Sequence, residues 1–154
     1  MRWKACLVLT TVAFPLNFAS AETVAYSKQA YLFASFDVPS GAAGTPQPDT
    51  FTVHRDGQEI ILHFDASTPH YDDREVTCGR GYLAYKLNRP NIFAYSCKIG
   101  PQISYGVIKY GKTYRVGASD ATEQIGFTID YPVSQKSYWD PVISHIVRSL
   151  RFEH

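Results

Sequence analysis

The sequence predicts an α+β fold, in which a C-terminal amphipathic helix packs on an antiparallel β-sheet of hairpins held by one disulfide. Alternating apolar residues, interrupted by short turn signals, predict the hairpins. An apolar stripe at helical spacing near the C-terminus predicts the helix, and the sheet face is the only large surface that can bury it. We expect residues 22–154 to form a single domain of this kind.

The first 21 residues have the pattern of a secretory signal peptide. Arg2 and Lys4 precede an apolar stretch over 5–18, and Ala19-Ser20-Ala21 is a small-residue cleavage sequence. We therefore expect cleavage after Ala21 and export to the periplasm. The apolar stretch is shorter than the roughly 20 residues that a transmembrane helix needs, so we expect no transmembrane segment.

The charge of the expected mature chain is nearly balanced. The full sequence has 15 Lys and Arg residues and 14 Asp and Glu residues. Removal of Arg2 and Lys4 with the signal peptide leaves 13 basic residues against the 14 acidic ones. A nearly neutral chain gives no electrostatic basis for binding nucleic acid or an anionic membrane. The sequence also contains no cofactor-binding motif, and its oligomeric state cannot be derived from composition.

The first elements after the signal peptide are strands and loops. We expect a strand near 31–37 and then a loop over 37–50, which is rich in proline and glycine and is interpreted as a connector. A long loop can also be functional, and that alternative stays open. The run FTVHRDGQEIILHFD predicts a hairpin in which Asp56-Gly57 supplies the positive-φ turn. After a polar loop, REVTC at 74–78 is expected to be a short strand.

The segment CGRGYLAYKLNRPNIFAYSC, residues 78–97, predicts a second hairpin between its two cysteines. Matching the apolar faces gives a five-residue loop over 88–92. The expected cross-strand pairs are Leu87 with Phe93, Tyr85 with Tyr95, and Leu83 with Cys97. In this register Cys78 reaches Cys97 from the preceding strand, not from the hairpin itself.

A third hairpin and the helix complete the prediction. The run ISYGVIKYGKTYRVGAS is expected to turn at Tyr110-Gly111-Lys112, and a following strand is expected to stop at Pro132. Asp140 suits a helix N-cap and Pro141 the first helical position. The apolar stripe comprises Trp139, Ile143, Ile146, Val147 and Leu150, and the helix is expected to end near Arg148 and Arg151.

Cysteine arithmetic predicts a structural disulfide. Without Cys6, which lies in the signal peptide, only Cys78 and Cys97 remain in a compartment that we expect to be oxidising. The bond closes a loop of about 20 residues and is worth roughly 3 kcal/mol in the chain-entropy model. A metal or redox site would need closer thiolates or a CxxC motif, and neither is present.

The search for catalytic motifs is mostly negative, since GxSxG, HExxH, P-loop and GxGxxG patterns are missing. One acid and histidine cluster remains, comprising His63, Asp65, His70, Asp72 and Asp73. Such groups can bind zinc or act as acid and base, which keeps a metal-assisted hydrolase open. Their spacing favours the simpler interpretation of a polar strand end followed by a turn.

Tyrosine and arginine side chains around the cysteine hairpin are the better candidates for a binding surface, because these residue types are enriched in binding hot spots. A disulfide would hold them rigidly and lower the ordering cost of association. The predicted partner-binding residues are Arg80, Tyr82, Arg89, Asn91, Tyr105 and Tyr110. Tyr85 and Tyr95 are assigned instead to core packing, since tyrosine is a good strand former.

The run YWDPVISHIVRSLRF resembles the closing helix of the PsbP-like family, and FTIDYP and FDVPSG are similar to other parts of that family's pattern. The resemblance covers about a third of the chain after residue 21 and implies a central antiparallel sheet flanked by helices, one of them early in the chain. It does not fix a function.

Three functions remain open from the sequence. A stapled, tyrosine-rich and exported domain without a catalytic motif is similar in general character to periplasmic immunity proteins against type VI secretion toxins and to lysozyme inhibitors. We therefore expect a non-enzymatic immunity or inhibitor protein that binds a cell-wall- or membrane-attacking toxin or an envelope hydrolase. The alternatives are a periplasmic small-ligand or envelope-accessory binding domain that uses the crevice between helix and sheet, and the hydrolase named above.

Overall fold

The computed structural model describes residues 23–47, 49–68 and 74–153, which form two antiparallel sheets and one C-terminal helix. The predicted signal peptide at 1–21 lies outside the described residues, as do His70, Asp72 and Asp73. Within the described ranges, every helix is too short or too polar to cross a membrane.

The smaller sheet has three strands in the order β1-β2-β10, namely β1 Tyr26–Tyr31, β2 Ala34–Pro39 and β10 Arg151–Phe152. Leu32 has a φ of 54° and lies in the tight turn between β1 and β2. The strand predicted near 31–37 is confirmed in part as β2, but it begins only at Ala34 because the turn separates Tyr31 from it. β1 also occupies the early part of the chain where the PsbP-like resemblance implies a helix.

The larger sheet has seven strands in the order β3-β4-β5-β9-β8-β7-β6. The strands are β3 Ala43–Gly44, β4 Thr50–Arg55, β5 Gln58–Ser67, β6 Tyr82–Arg89, β7 Ile92–Ile99, β8 Gln102–Val116 and β9 Ser119–Pro132. β9 is central because it pairs with β5 on one side and β8 on the other.

The structure corrects two sequence predictions, namely the loop over 37–50 and the strand over 74–78. The loop predicted over 37–50 contains the end of β2 and the short strand β3, which pairs with β4. Residues 74–78 were expected to be a strand, but they have no regular structure. Arg74 makes side-chain hydrogen bonds to the β6–β7 turn, so this segment is held by side chains instead of by a strand ladder.

The predicted turn between β4 and β5 is confirmed. Asp56 and Gly57 have φ values of 50° and 72°, and Arg55 pairs with Gln58 across them. Positive φ at both central residues defines the type I′ turn, whose twist matches that of the flanking strands.

The predicted turn at Tyr110-Gly111-Lys112 is wrong, because β8 continues through it and turns only at Gly117. The three residues form a bulge, since the β8–β9 register shifts between Tyr110 and Thr113. The buried Glu123 carboxylate of β9 accepts a hydrogen bond from the Lys112 backbone N–H at 3.1 Å and another from the Tyr114 hydroxyl. These bonds stabilise the bulge.

The β6–β7 hairpin has the predicted partners at one end only. Leu83 lies opposite Cys97 as expected, but the register then shifts between Leu83 and Tyr85. Tyr85 therefore pairs with Ser96 and Leu87 pairs with Ala94, so those two predicted pairs are wrong. The connection is the two-residue turn Pro90-Asn91 and not a five-residue loop, because Arg89 pairs with Ile92.

The helix α1 spans Lys136–Ser149 and follows a 3-10 turn at Val133–Gln135. Asp140 and Pro141 lie inside the helix, so their predicted capping roles are wrong. Gln135 occupies the N-cap position, and its side-chain oxygen accepts a hydrogen bond from the Trp139 indole at 2.9 Å. Arg148 lies in the last turn as predicted, whereas Arg151 belongs to β10.

The core lies between one face of the large sheet and a layer made by β2 and α1. Phe36 of β2 stacks on Phe64 of β5 with ring centroids 3.7 Å apart, and Phe51 meets both rings edge-on. The helix adds four buried side chains to the same cluster, namely Trp139, Val142, Ile143 and Ile146. Burial of large side chains from all three elements is what holds the layers together.

Candidate functional site

A cleft lies between α1 and the part of the large sheet formed by β6 to β9. The strand register accounts for the lining of this cleft, because it places two rows of side chains on the same face of these four strands. One row is Tyr82, Lys98, Ile103 and Tyr131, and the other is Tyr85, Ser96, Tyr105 and Ile129. Except for the buried Ile129, these side chains line the cleft. Four tyrosines are therefore brought together from three strands.

The helix supplies the opposite wall of the cleft with Ile143, Ser144 and Val147. The volume of the cleft is about 750 Å³, within the range of typical small-molecule sites. Its wall is predominantly apolar and aromatic, with a small number of polar groups. This combination fits a binding site better than a packing defect.

Charged side chains at the helix end of the cleft are paired with each other. Lys136 makes an ion pair with Asp140 one helical turn later, and the other Asp140 oxygen accepts a hydrogen bond from the Tyr131 hydroxyl at 3.3 Å. Burial raises the pKa of Tyr131, and the neighbouring Asp140 charge raises it further. Tyr131 therefore remains a neutral hydrogen-bond donor at physiological pH.

Tyr105 lies on the sheet floor, in the row beside that of Tyr131. Burial raises the pKa of Tyr105 to about 12, with a smaller contribution from Tyr85. Its hydroxyl also remains protonated under physiological conditions and can donate a hydrogen bond to a bound group.

β6 forms one edge of the large sheet, and apolar or tyrosine side chains are exposed along it. Tyr82 is 59% exposed, Tyr85 47%, Leu83 44%, and Ile99 at the end of β7 40%. We call these four residues the edge patch. Tyr82 and Tyr85 lie on the cleft side of the strand, whereas Leu83 pairs with Cys97 on the opposite face.

The chain before β6 is tied to the hairpin by the predicted disulfide. Cys78 bonds to Cys97 with the two Cα atoms 5.5 Å apart, and the Gly81 N–H donates to the Cys78 carbonyl at 2.9 Å. A side chain at Gly81 would collide with the Lys98 backbone and with Ile99. Glycine at this position therefore permits the segment to lie directly against the end of β7.

Arg74 holds the opposite end of the hairpin. Its guanidinium donates to the Asn88 side chain at 2.9 Å and to the carbonyls of Arg89 and Pro90 at 2.8 and 3.2 Å. The same group lies over the Tyr110 ring, 4.3 Å from its centroid. No local pattern in the sequence indicates this role of Arg74, because only the folded chain brings it to residues that lie 14 to 16 positions later.

The predicted partner-binding residues fall in different places. Tyr82 and Tyr105 line the cleft, and Arg80 lies in the exposed turn before β6. Arg89, Asn91 and Tyr110 lie together at the other end of the hairpin. There the Tyr110 N–H donates to the Asn91 carbonyl at 3.1 Å.

Of the cleft residues, only Tyr82 and Tyr105 are among the predicted partner-binding residues. Tyr85 is predicted to be a core residue but is exposed, and Tyr131 and Lys98 belong to no predicted site. The register across β6 to β9 places all three residues on the cleft face. The register predicted for β6 and β7 assumes simple alternation, which the bulge after Leu83 interrupts. Tyr95 lies on the opposite sheet face, where its ring covers Gly106.

His63 and Asp65 lie on the outer face of β5, away from the cleft. His63 Nδ1 is 3.3 Å from the Thr50 hydroxyl, and Asp65 accepts a hydrogen bond from Ser67 at 3.0 Å. Within residues 23–47, 49–68 and 74–153, no group of three or more His, Cys, Asp or Glu side chains is arranged to hold a metal ion. The other members of the predicted cluster lie outside these ranges.

No family model, curated protein or solved structure shows a significant match to this chain. The PsbP-like resemblance therefore stays a prediction.

Proposed function

We propose that this protein is an exported, non-catalytic immunity or inhibitor protein that binds a protein partner along the edge patch. The partner class that we infer is a toxin or hydrolase that attacks the cell wall or the membrane. The expectation of export is based on the signal-peptide pattern in the sequence, and the inference of inhibition is based on the exposed edge of β6.

The observation that carries the proposal is the exposed edge of β6. Among the described strands β6 pairs only with β7, so the backbone N–H and C=O groups of its outer edge have no strand partner there. Edge strands of this kind recruit a strand from another chain, and their side chains then select the partner. Tyr82 and Tyr85 supply the large amphipathic contacts that dominate protein interfaces.

Rigidity supports the same proposal. The disulfide fixes the hairpin at Cys97, and Arg74 fixes it at the Pro90-Asn91 turn. A surface that is already ordered loses little conformational freedom on binding, so more of the contact energy becomes affinity. Such a hairpin can obstruct the active site of a hydrolase without chemistry of its own.

A second candidate function is a small-ligand or envelope-accessory binding domain. The cleft favours it, since a 750 Å³ space with an apolar wall and several hydrogen-bonding groups is a general feature of ligand sites. A thermal-shift screen separates the candidates, because a small ligand raises the melting temperature in the absence of any protein partner.

The proposal is tested by affinity capture from envelope extracts of cells that carry the genes adjacent to the gene for this protein. Bound proteins are identified by mass spectrometry and then purified for an activity assay. We expect the wild-type protein to retain a wall- or membrane-attacking enzyme and to inhibit it. We expect Tyr82→Ala/Tyr85→Ala to lose both effects. Recovery of the same proteins by both forms, or of no wall- or membrane-attacking enzyme, would contradict the proposal.

A further inference from the structure

Among the described residues that line the cleft, Lys98 is the one charged side chain without a counter-charge. Its side chain is partly buried and lies between Tyr82 and Ile103 in the row that crosses the sheet. Among the described residues it has no hydrogen-bond or ion-pair partner, whereas Lys136 and Asp140 neutralise each other. The cleft therefore carries one net positive charge on an otherwise apolar and aromatic floor.

Neutral hydrogen-bond donors lie beside Lys98. Ser96 is two residues away on the same face of β7, and Tyr105 is directly opposite Ser96 on β8. Both hydroxyl groups therefore lie on the same face of the sheet as Lys98, about 7 Å further along the strands. Charge-assisted hydrogen bonds to an anion are the strongest polar contacts that such a site can make.

The remainder of the cleft selects for an apolar body. Ile103 on the sheet and Ile143 and Val147 on the helix form facing walls, and the tyrosine rings provide flat surfaces between them. Placing an apolar group here removes both surfaces from water, while a partly buried lysine favours a ligand that supplies its counter-charge.

We propose that the cleft binds a small amphipathic anion, with an apolar body between α1 and the sheet and an acidic group on Lys98. This inference rests on the second candidate function, and the cleft shares Tyr82 and Tyr85 with the edge patch. The occupant is a free small molecule with one carboxylate or an equivalent acidic group. A partner's acidic side chain in the same place would instead appear as a failure to bind small probes.

The test uses purified protein without any partner. The probe is 8-anilinonaphthalene-1-sulfonate, whose fluorescence rises in an apolar site, and decanoate and decanol are compared as competitors. We expect decanoate to displace the probe about tenfold more effectively than decanol, because only decanoate carries the charge that pairs with Lys98. The probe should also perturb the amide signals of Tyr105 and Ile143.

Two lysine variants provide the matched comparison. Lys98→Gln removes the charge in the cleft, whereas Lys86→Gln removes the same charge from the hairpin face that bears Phe93. We expect about tenfold weaker probe binding for Lys98→Gln and unchanged binding for Lys86→Gln. Absence of probe binding, equal competition by decanoate and decanol, or equal effects of the two variants would overturn the inference. Because no protein partner is present, these outcomes are separate from those of the capture experiment.

Discussion

Leu83 of the exposed edge strand lies directly opposite Cys97, the residue that the disulfide joins to the segment before the hairpin. The covalent bond is therefore adjacent to the surface that we propose for partner binding. Loss of the bond should affect both the stability of the fold and the order of the edge patch.

The first prediction concerns the disulfide. We expect the variant Cys78→Ala/Cys97→Ala to lose about 3 kcal/mol of unfolding free energy, because the bond closes a loop of about 20 residues in the unfolded chain. Urea unfolding followed by fluorescence measures this difference. As a control, a reducing agent should weaken the wild-type protein by a similar amount and leave the variant unchanged. A wild-type protein insensitive to reduction would contradict the prediction.

The second prediction concerns Arg74, whose guanidinium bonds to three groups of the β6–β7 turn. We expect Arg74→Ala to reduce the unfolding free energy by about 1–2 kcal/mol and to speed amide exchange at Tyr110. Arg74→Lys keeps the charge but not the planar fork, so it should restore only part of the loss. Full restoration by lysine would show that charge alone is responsible.

The third prediction follows from Tyr105, whose pKa is raised to about 12 by burial. Between the ordinary tyrosine pKa near 10 and this value, the unfolded state has lost a proton that the folded state retains, so stability falls as pH rises. We expect a loss of up to about 1.4 kcal/mol per pH unit from this residue over pH 10–12.

Tyr105→Phe isolates that contribution. Unfolding free energies measured between pH 9 and 12 should decline less steeply for this variant than for the wild-type protein. Burial lowers the pKa of Lys109, so the folded protein loses that proton at a lower pH than the unfolded chain does. This difference makes the stability rise with pH until the lysine of the unfolded chain titrates near 10.4. The comparison above about pH 10.5 is therefore free of that opposing effect. Identical slopes for the two proteins would refute the assignment.

Local sequence signals predicted the elements whose causes are local. Asp56-Gly57 forms the expected turn because two positive φ values are set by those residues themselves. The disulfide was also predictable, since only one pair of cysteines remains after Cys6. The buried Trp139 and Ile143 were visible as part of a helical stripe.

The errors arise where distant residues decide the local structure. Tyr110-Gly111-Lys112 has the composition of a turn, but Glu123 bonds to Lys112 and converts the region into a bulge within a long strand. Asp140 was expected to cap the helix, but it pairs with Lys136 inside it. The cleft depends on the register of four strands and on the position of α1, so single-strand patterns could not predict it.

The most direct test of the central claim is the affinity of the captured and purified partner for edge variants. Leu83→Lys places a charge on the β6 edge, and Ile61→Lys makes the same change at a comparably exposed residue, on β5 in the interior of the sheet. An edge-strand lysine opposes strand pairing, so we expect Leu83→Lys to weaken binding by at least about 30-fold. Binding to Ile61→Lys should equal that of the wild-type protein. Equal affinities for all three proteins would contradict the account.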